Sequence, residues 1–387
     1  MPANGVGLCL LPSELIQEIL LRLVLPEIFQ VKSVSKLITS VIRCNSFRNE
    51  FNTRSSSDTW LFVYKKRSLR DSFLYSFTYR SSRWFKIPMA QFLFPIVPPG
   101  EDLYFLTASA GFFLFASNKY RELIVVNIKL NTVKKIPPSP LGPRGTSSWR
   151  RSGLKLIAGP PPGSDQFTFL FAELLYENRP VLFQYSSGND TWRSVEAVEN
   201  DGYLPTRGKV FLSVVHRSSD SILLAIESNI ETPVILRPRF NEGAIDGRLA
   251  IGFSTIGRLH VYGDGCMVIV KSEGMNMIDE NDRVRVFTCI EVWGLCVDGR
   301  GWEFISKLPD NLVDKVRKPY AVMMGCLEER DGIVRVVLVT NYEGVWALIW
   351  LCYDLGSKAW TWVPLPEFRM KGLNIAGITL SSGLTIC

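Results

Sequence analysis

The sequence has little of what metal sites and common catalytic motifs require. Its 387 residues include only two histidines, His216 and His260, so a site with three histidine ligands is excluded. The eight cysteines never form a C-x-x-C pair, and the G-x-S-x-G, P-loop and H-E-x-x-H patterns are missing. We therefore expect no metal and no cofactor. We interpret the cysteines as small buried apolar residues of a reducing compartment.

Long apolar runs are also absent. The longest, Val345–Tyr353, has nine residues, whereas a membrane-spanning helix needs roughly 20. The N-terminus has no basic start, and Pro12 and Glu14 interrupt its apolar stretch, so we predict no signal peptide. We expect a location in the nucleus or the cytoplasm, without membrane contact.

The first pattern along the chain is helical and covers residues 11–51. Leucine or isoleucine recurs every four residues, which indicates an amphipathic helix, and Pro26 marks a break before a second apolar series at helical spacing. We predict three short helices, which are too few to bury their own apolar side chains. Either the rest of the chain covers them as a plain helical cap, or another protein binds them.

One motif in this stretch is specific enough to indicate a family. It reads Leu11-Pro12-x-Glu14-Leu15-Ile16-x-Glu18-Ile19-Leu20-x-Arg22-Leu23, followed by Val34-Ser35-Lys36. These residues resemble an F-box, although Ile38 stands where the family has tryptophan and Leu23-Val24 replaces a second Leu-Pro. The resemblance implies that residues 1–52 are a small all-α F-box domain that docks onto a Skp-type adaptor and, through it, a cullin scaffold. The docking residues that it implies are Leu11, Pro12, Leu15, Ile19, Leu20, Leu23, Val34 and Lys36.

Residues 53–387 contain repeated units of short strands. Each unit has an apolar strand, a polar turn, a bulky residue and a short closing strand. One unit is missing between Trp192 and Trp302, and we expect a degraded copy of it at Val234–Ala250. Six units average about 55 residues, which is typical of propeller blades. The strands within Leu373–Ile386 are expected to complete the first blade, which begins with about two strands in Trp60–Pro88. The bulky positions, interpreted as packing between blades, are Trp84, Val133, Trp192, Trp302 and Trp360.

This second part resembles the degenerate kelch propellers that follow an F-box in plant proteins. The resemblance is carried by Ser109-Ala110-Gly111-Phe112-Phe113, Val125-Val126-Asn127 and Lys135-Ile136-Pro137-Pro138, and the kelch Gly-Gly doublet is missing. The predicted fold is thus a small N-terminal all-α F-box followed by an all-β kelch-like propeller of six blades, closed into a ring by C-terminal strands.

Three functions are compatible with this sequence. The first is a non-catalytic substrate receptor of an SCF-type ubiquitin ligase, whose propeller loops bind a target protein. The second is an F-box scaffold or small-molecule sensor outside the ligase, and the third is a propeller enzyme. For target contact we single out Trp149, Arg150 and Arg151, since an exposed Trp beside two Arg is typical of interfaces. The alternative is that their loop is a solvated linker.

The formal net charge of +7 is concentrated in one segment. Residues 53–90 carry eight basic and two acidic side chains, whereas residues 91–387 carry 31 of each. This distribution argues against nucleic-acid binding over the whole surface. It indicates a local basic face beside the helical domain, for an acidic partner or with no role.

Overall fold

The computed structural model of the protein describes residues 11–66, 72–81, 83–160, 164–175, 179–199, 208–214, 222–227, 232–240, 258–275, 284–366 and 374–386. The described part of the N-terminal region contains four helices, where the sequence predicted three. They are α1 (Ser13–Leu21), α2 (Leu25–Lys32), α3 (Lys36–Arg43) and α4 (Asn45–Ser55). The last helix ends at Ser55, beyond the predicted boundary at residue 52.

Local sequence explains where these helices begin. Pro26 lies in the first turn of α2, where its missing N–H costs no hydrogen bond. The Glu27 carboxylate accepts the backbone N–H of Val24 at 3.1 Å. At α3, the Ser35 hydroxyl oxygen accepts the backbone N–H of Ile38 at 3.2 Å, which caps the helix.

The described residues after the helices form β-strands, with three short helices in loops between them: α5 (Ala90–Leu93), α6 (Thr146–Trp149) and α7 (Asp310–Val316). The first three sheets in chain order contain β1 (Trp60–Lys66), β2 (Phe73–Phe77) and β3 (Phe85–Pro88); β4 (Leu103–Ser109), β5 (Phe112–Ser117), β6 (Leu123–Asn127) and β7 (Thr132–Ile136); and β8 (Gly153–Ala158), β9 (Phe167–Leu174), β10 (Pro180–Ser186) and β11 (Thr191–Glu196).

The other three sheets contain β12 (Val198–Glu199), β13 (Val210–Val214), β14 (Ile222–Ile226) and β15 (Val234–Leu236); β16 (Arg239–Phe240), β17 (Arg258–Gly263), β18 (Cys266–Gly274), β19 (Arg285–Leu295), β20 (Gly301–Lys307) and β21 (Pro319–Tyr320); and β22 (Val322–Arg330), β23 (Ile333–Tyr342), β24 (Val345–Asp354) and β25 (Ala359–Val363). Tight turns join several hairpins. Both residues of Asp264-Gly265 and of Asp331-Gly332 have positive φ, as two-residue hairpin turns of type I′ require.

The six sheets form the blades of a propeller. In each sheet, the strand at one edge contacts the corresponding strand of the next sheet. These strands follow the order β4, β8, β13, β17 and β22, and β26 (Asn374–Ser381) contacts both β22 and β4, which closes the ring. Strand β26 pairs with β1, so the C-terminal strand completes the first blade. The predictions of six blades and of ring closure are confirmed. The expected division of the first blade was wrong, because the N-terminal part supplies three strands and the C-terminal part supplies one.

The fourth blade differs from its predicted position. The sequence placed a degraded unit at Val234–Ala250, but β12, β13 and β14 come earlier in the chain and β16 belongs to the fifth sheet. Residues 241–250 lie outside the described part. The outer strand of this blade is the two-residue β12, which runs parallel to β15 and carries no tryptophan. The repeated turn-Trp pattern therefore could not locate it.

Tryptophans connect neighbouring blades, as predicted. The indole N–H of Trp192 in β11 donates to the Pro137 carbonyl, just after β7, at 2.9 Å. The same contact joins Trp84 to the Pro366 carbonyl at 3.1 Å, and Trp360 donates to the Ser306 hydroxyl in β20 at 2.9 Å. In each case the indole reaches from one blade to the closing segment of the blade beside it, so these side chains fix adjacent blades to one another.

The helical domain and the first two blades share one buried apolar cluster. Its helical members include Ile16, Leu20 and Phe51, and its propeller members include Phe62 and Phe113, whose rings meet edge to face at 4.9 Å. The helices are thus packed onto the propeller. The choice between a helical cap and a partner-binding module depends on which apolar side chains this packing leaves exposed.

The two ends of the propeller differ. Ala110, Gly159 and Gly383, which follow β4, β8 and β26, line one cleft, so these inner strands end on the same side. Helix α4 lies on that side, because the Asn52 side chain bonds to the backbone of Ile386. We call this side the helix-side end and the other the open end. The loop of residues 137–152 precedes β8 and lies at the open end.

Candidate protein interaction surfaces

Helix α1 presents two apolar side chains to solvent. Leu15 is 51% exposed and Ile19 is 43% exposed, and their spacing of four residues places them on one face of the helix. Ile16 and Leu20, each about 100° further round the helix, are buried in the domain core. The propeller therefore covers only part of the apolar surface that the sequence pattern predicted.

The residues implied by the F-box resemblance fall into three groups. Pro12, Val34 and Lys36 are exposed like Leu15 and Ile19, with Val34 at 71%. Leu11 and Leu23 are half-buried against the core. Leu20 is buried, so it supports the helix from inside. Contrary to the expectation, its side chain is not presented on the surface, because a helix of 3.6 residues per turn directs Leu20 away from the face of Leu15.

Two further exposed apolar residues adjoin this set. Phe29 in α2 is half-exposed, and Leu37 in α3 is exposed beside Val34 and Lys36. The sequence pattern indicated neither residue, since Phe29 follows buried Ile28 and Leu37 precedes buried Ile38, so each projects from another face of its helix. A signal was available in the sequence, because each of the two is an apolar residue that lies next to the predicted apolar series but does not fit its helical spacing.

A shallow groove lies where α2 meets α3. Thr39 fixes its floor by donating to the backbone carbonyls of Lys32 at 2.6 Å and Ser35 at 3.0 Å. The groove is basic and partly apolar, and its lining includes Lys32, Val34, Lys36, Arg43 and Cys44. Cys44 is exposed, so the expectation that the cysteines are buried is wrong for this residue. Cys9 and Cys387 lie outside the described residues.

Three of the eight basic side chains in residues 53–90 pair with acids in or just after the helical region. Arg83 contacts Glu27 of α2 at 3.1 Å, and Arg54 contacts Glu50 at 2.6 Å. Arg80 contacts Asp58 at 2.8 Å, and burial raises the pKa of Asp58 more than Arg80 lowers it. The Arg83–Glu27 pair thus joins α2 to the first blade, whereas Arg67 and Arg70 of the basic segment lie outside the described residues.

Trp149 is part of the core and is not an interface residue. It is 2% exposed, its ring meets Phe171 edge to face at 4.9 Å, and the Arg144 guanidinium lies 4.6 Å above it. Arg144 in turn pairs with Glu173. The expectation of an exposed Trp149 was wrong, because α6 turns the indole inward onto the aromatic side chains of β9.

The two neighbouring arginines are exposed at the open end. The Arg150 guanidinium lies 4.3 Å above the ring of Tyr104 in β4, and Arg151 donates to the Ser147 carbonyl at 3.2 Å. Neither arginine is within ion-pair distance of a carboxylate in the part of the chain that the structure describes. They remain candidates for target contact.

Within the described ranges, no group of three or more His, Cys, Asp and Glu side chains is arranged to hold a metal ion. His260 lies in β17 beside Tyr262, and His216 lies outside the described residues. None of the described helices is both long and apolar enough to cross a membrane.

Comparison with known proteins identifies no family, since no family model and no curated protein matches this chain. An ulvan lyase, which is a polysaccharide lyase, aligns over 81% of both chains with 12% identity and a TM-score of 0.34. The β-propeller domain of the trilobed protease from Pyrococcus furiosus aligns over 76% of this chain and 78% of its own, with 10% identity and a TM-score of 0.32. Apo AztD from Citrobacter koseri aligns over 85% of this chain and all of its own, with 10% identity and a TM-score of 0.32. At these TM-scores the similarities carry no argument about function.

Proposed function

We propose that this protein is a substrate receptor of an SCF-type ubiquitin ligase that acts in the nucleus or the cytoplasm. The observation that carries the proposal is the exposed pair Leu15 and Ile19 on a helix whose other face is built into the core. Exposed Leu and Ile side chains on one helix face are a usual element of helix-mediated docking. Together with the F-box-like sequence, this face suits a Skp-type adaptor.

In this proposal the chain performs no chemistry. The adaptor and a cullin scaffold bring the ubiquitin-conjugating enzyme, and the propeller contributes proximity by holding the target near it. The separation of the two ends supports such a role. The helices occupy one end, while the long loop of residues 137–152 at the open end stays available for a target.

The test is a pull-down of recombinant Skp-type adaptor by the tagged full-length chain. We expect the double variant Leu15→Ala and Ile19→Ala to weaken adaptor binding roughly tenfold or more, as loss of two central apolar contacts does in other interfaces. The matched control is Val322→Ala with Val345→Ala, which shortens two exposed valines of the sixth blade and should retain the adaptor.

In cell extracts, the Leu15 and Ile19 double variant should lose adaptor and cullin while proteins bound to the propeller remain. Full retention of the adaptor by this variant would overturn the assignment of the docking face. Equal loss with the valine control would show that the effect is not local to α1.

A further inference from the structure

A set of positive side chains is gathered at the open end beside the second and third blades. Thr146 in α6 donates to the Asn118 side-chain oxygen at 2.9 Å, which ties the loop of residues 137–152 to the turn between β5 and β6. This bond brings the turn close to the arginines that follow α6. The resulting surface, which we call the open-end patch, consists of Lys119, Tyr120, Arg121, Arg150 and Arg151.

The four cations of the open-end patch are exposed, and the structure's described residues provide no carboxylate within ion-pair distance of any of them. Three acids lie nearby. Asp102 holds the turn through its backbone carbonyl, which accepts the Asn118 N–H at 3.0 Å, and the other two are engaged through their side chains. Glu101 is buried and accepts the backbone N–H of Lys119 at 2.7 Å, and Glu122 pairs with Lys135 at 2.8 Å. The patch therefore keeps an excess of positive charge, in contrast to the paired arginines beside the helical domain.

The patch is also held in place before any partner arrives. Arg150 is stacked on Tyr104 at 4.3 Å, and the Lys119 ammonium lies 5.5 Å from the centre of the Tyr120 ring. Beneath them the loop is anchored by buried Trp149 and by Glu173, which accepts from both Arg144 and Ser152. An ordered surface loses less conformational entropy on binding than a mobile loop does.

We propose that the open-end patch binds an acidic segment, rich in Asp and Glu, of the protein that this receptor captures. The assignment of the partner as a captured target rests on the proposed function. The charge excess selects for carboxylates, and half-exposed Tyr120 adds an aromatic contact beside Lys119. Nucleic acid fits less well, because residues 91–387 as a whole carry no net formal charge to attract a polyanion.

The test measures binding of a fluorescein-labelled peptide of alternating Glu and Gly to the full-length chain by fluorescence anisotropy. We expect its affinity to fall as NaCl is raised, since exposed charges are screened by salt. The variant Lys119→Gln, Arg150→Gln and Arg151→Gln should bind roughly tenfold more weakly, as loss of three exposed charge contacts implies. A peptide of alternating Gln and Gly should not bind.

The matched control is Arg300→Gln with Lys358→Gln, two exposed cations in turns between outer strands at the other end, which should bind the Glu peptide like the wild type. Unchanged peptide binding by the triple variant, or an equal loss of binding by the control, would overturn the proposal. So would a single-stranded RNA that binds more tightly than the peptide and competes for the same residues. The adaptor pull-down reports separately on α1, so failure of the ligase proposal and failure of the patch can be told apart.

Discussion

At the scale of single residues, the environments of the cysteines predict very different reactivities. The exposed Cys44 thiol lies 3.1 Å from the Ser46 hydroxyl, and hydrogen bonds from that hydroxyl and from nearby backbone N–H groups lower its pKa. Burial raises the pKa of Cys266 to about 12 and that of Cys289 to about 11. Since the thiolate is the nucleophile, near-neutral solution favours Cys44 on both exposure and ionisation.

We therefore expect Cys44 to be alkylated first among these three cysteines when the folded protein is treated briefly with iodoacetamide at pH 7.5 and analysed by peptide mass spectrometry. The variant Ser46→Ala should slow the reaction, because it removes the first cause of the lowered pKa. Cys266 reacting as fast as Cys44 in the folded protein would contradict this account.

At the scale of elements, the outer strands are joined by indole hydrogen bonds that recur around the ring. Trp192 packs against Phe169 and Phe171 of its own blade while its N–H reaches Pro137 of the previous one. One side chain thus stabilises the sheet and its neighbour together. In a propeller, where no single blade can bury both of its faces, such contacts contribute to the cooperativity of the whole ring.

We expect Trp192→Phe to lower the free energy of unfolding by about 1 kcal/mol, which is the usual net value of one hydrogen bond, with an added loss from the smaller ring. Chemical denaturation followed by far-UV circular dichroism measures the change. Trp362→Phe in β25 is the control, because that side chain is 44% exposed whereas Trp192 is held by its hydrogen bond to Pro137, so the change should cost less. Equal costs for the two variants would argue against a contact specific to Trp192.

The same elements indicate how far the fold could be predicted from the sequence. Trp192, Trp302 and Trp360 recur at blade spacing because one residue type serves one packing position, so those blades were recognisable. The fourth blade was misplaced, because a two-residue strand such as β12 carries no periodicity. Trp149 was misassigned for another reason: its burial depends on Phe169 and Phe171, whose proximity is created by the tertiary fold and not by neighbouring residues.

At the scale of the whole molecule, the C-terminal part of the chain makes two separate connections. Strand β26 completes the first blade, and the residues after it then run under the helical domain. There Asn52 of α4 donates to the Ile386 carbonyl at 3.0 Å and accepts the Ile386 N–H at 2.8 Å. Leu384 and Ile386 are buried in the same cluster as the helices. This segment therefore helps to hold the helical domain in a fixed position relative to the propeller, and with it the exposed face of α1 that we propose for docking.

Replacing Asn52 tests this connection, because Asn52→Ala removes both hydrogen bonds and leaves the buried side chains of Leu384 and Ile386 unchanged. Two lost bonds of about 1 kcal/mol each should speed amide hydrogen exchange of the segment 382–386 by roughly tenfold or more. Asn49→Ala, one turn earlier on the exposed side of α4, is the control and should leave that exchange unaltered. Because β26 is held by its own ladder with β1, its exchange should stay slow in both variants. Unchanged exchange at Ile386 in Asn52→Ala would show that apolar burial alone fixes the segment, and accelerated exchange throughout β26 would show that the helical domain and the ring unfold as one unit.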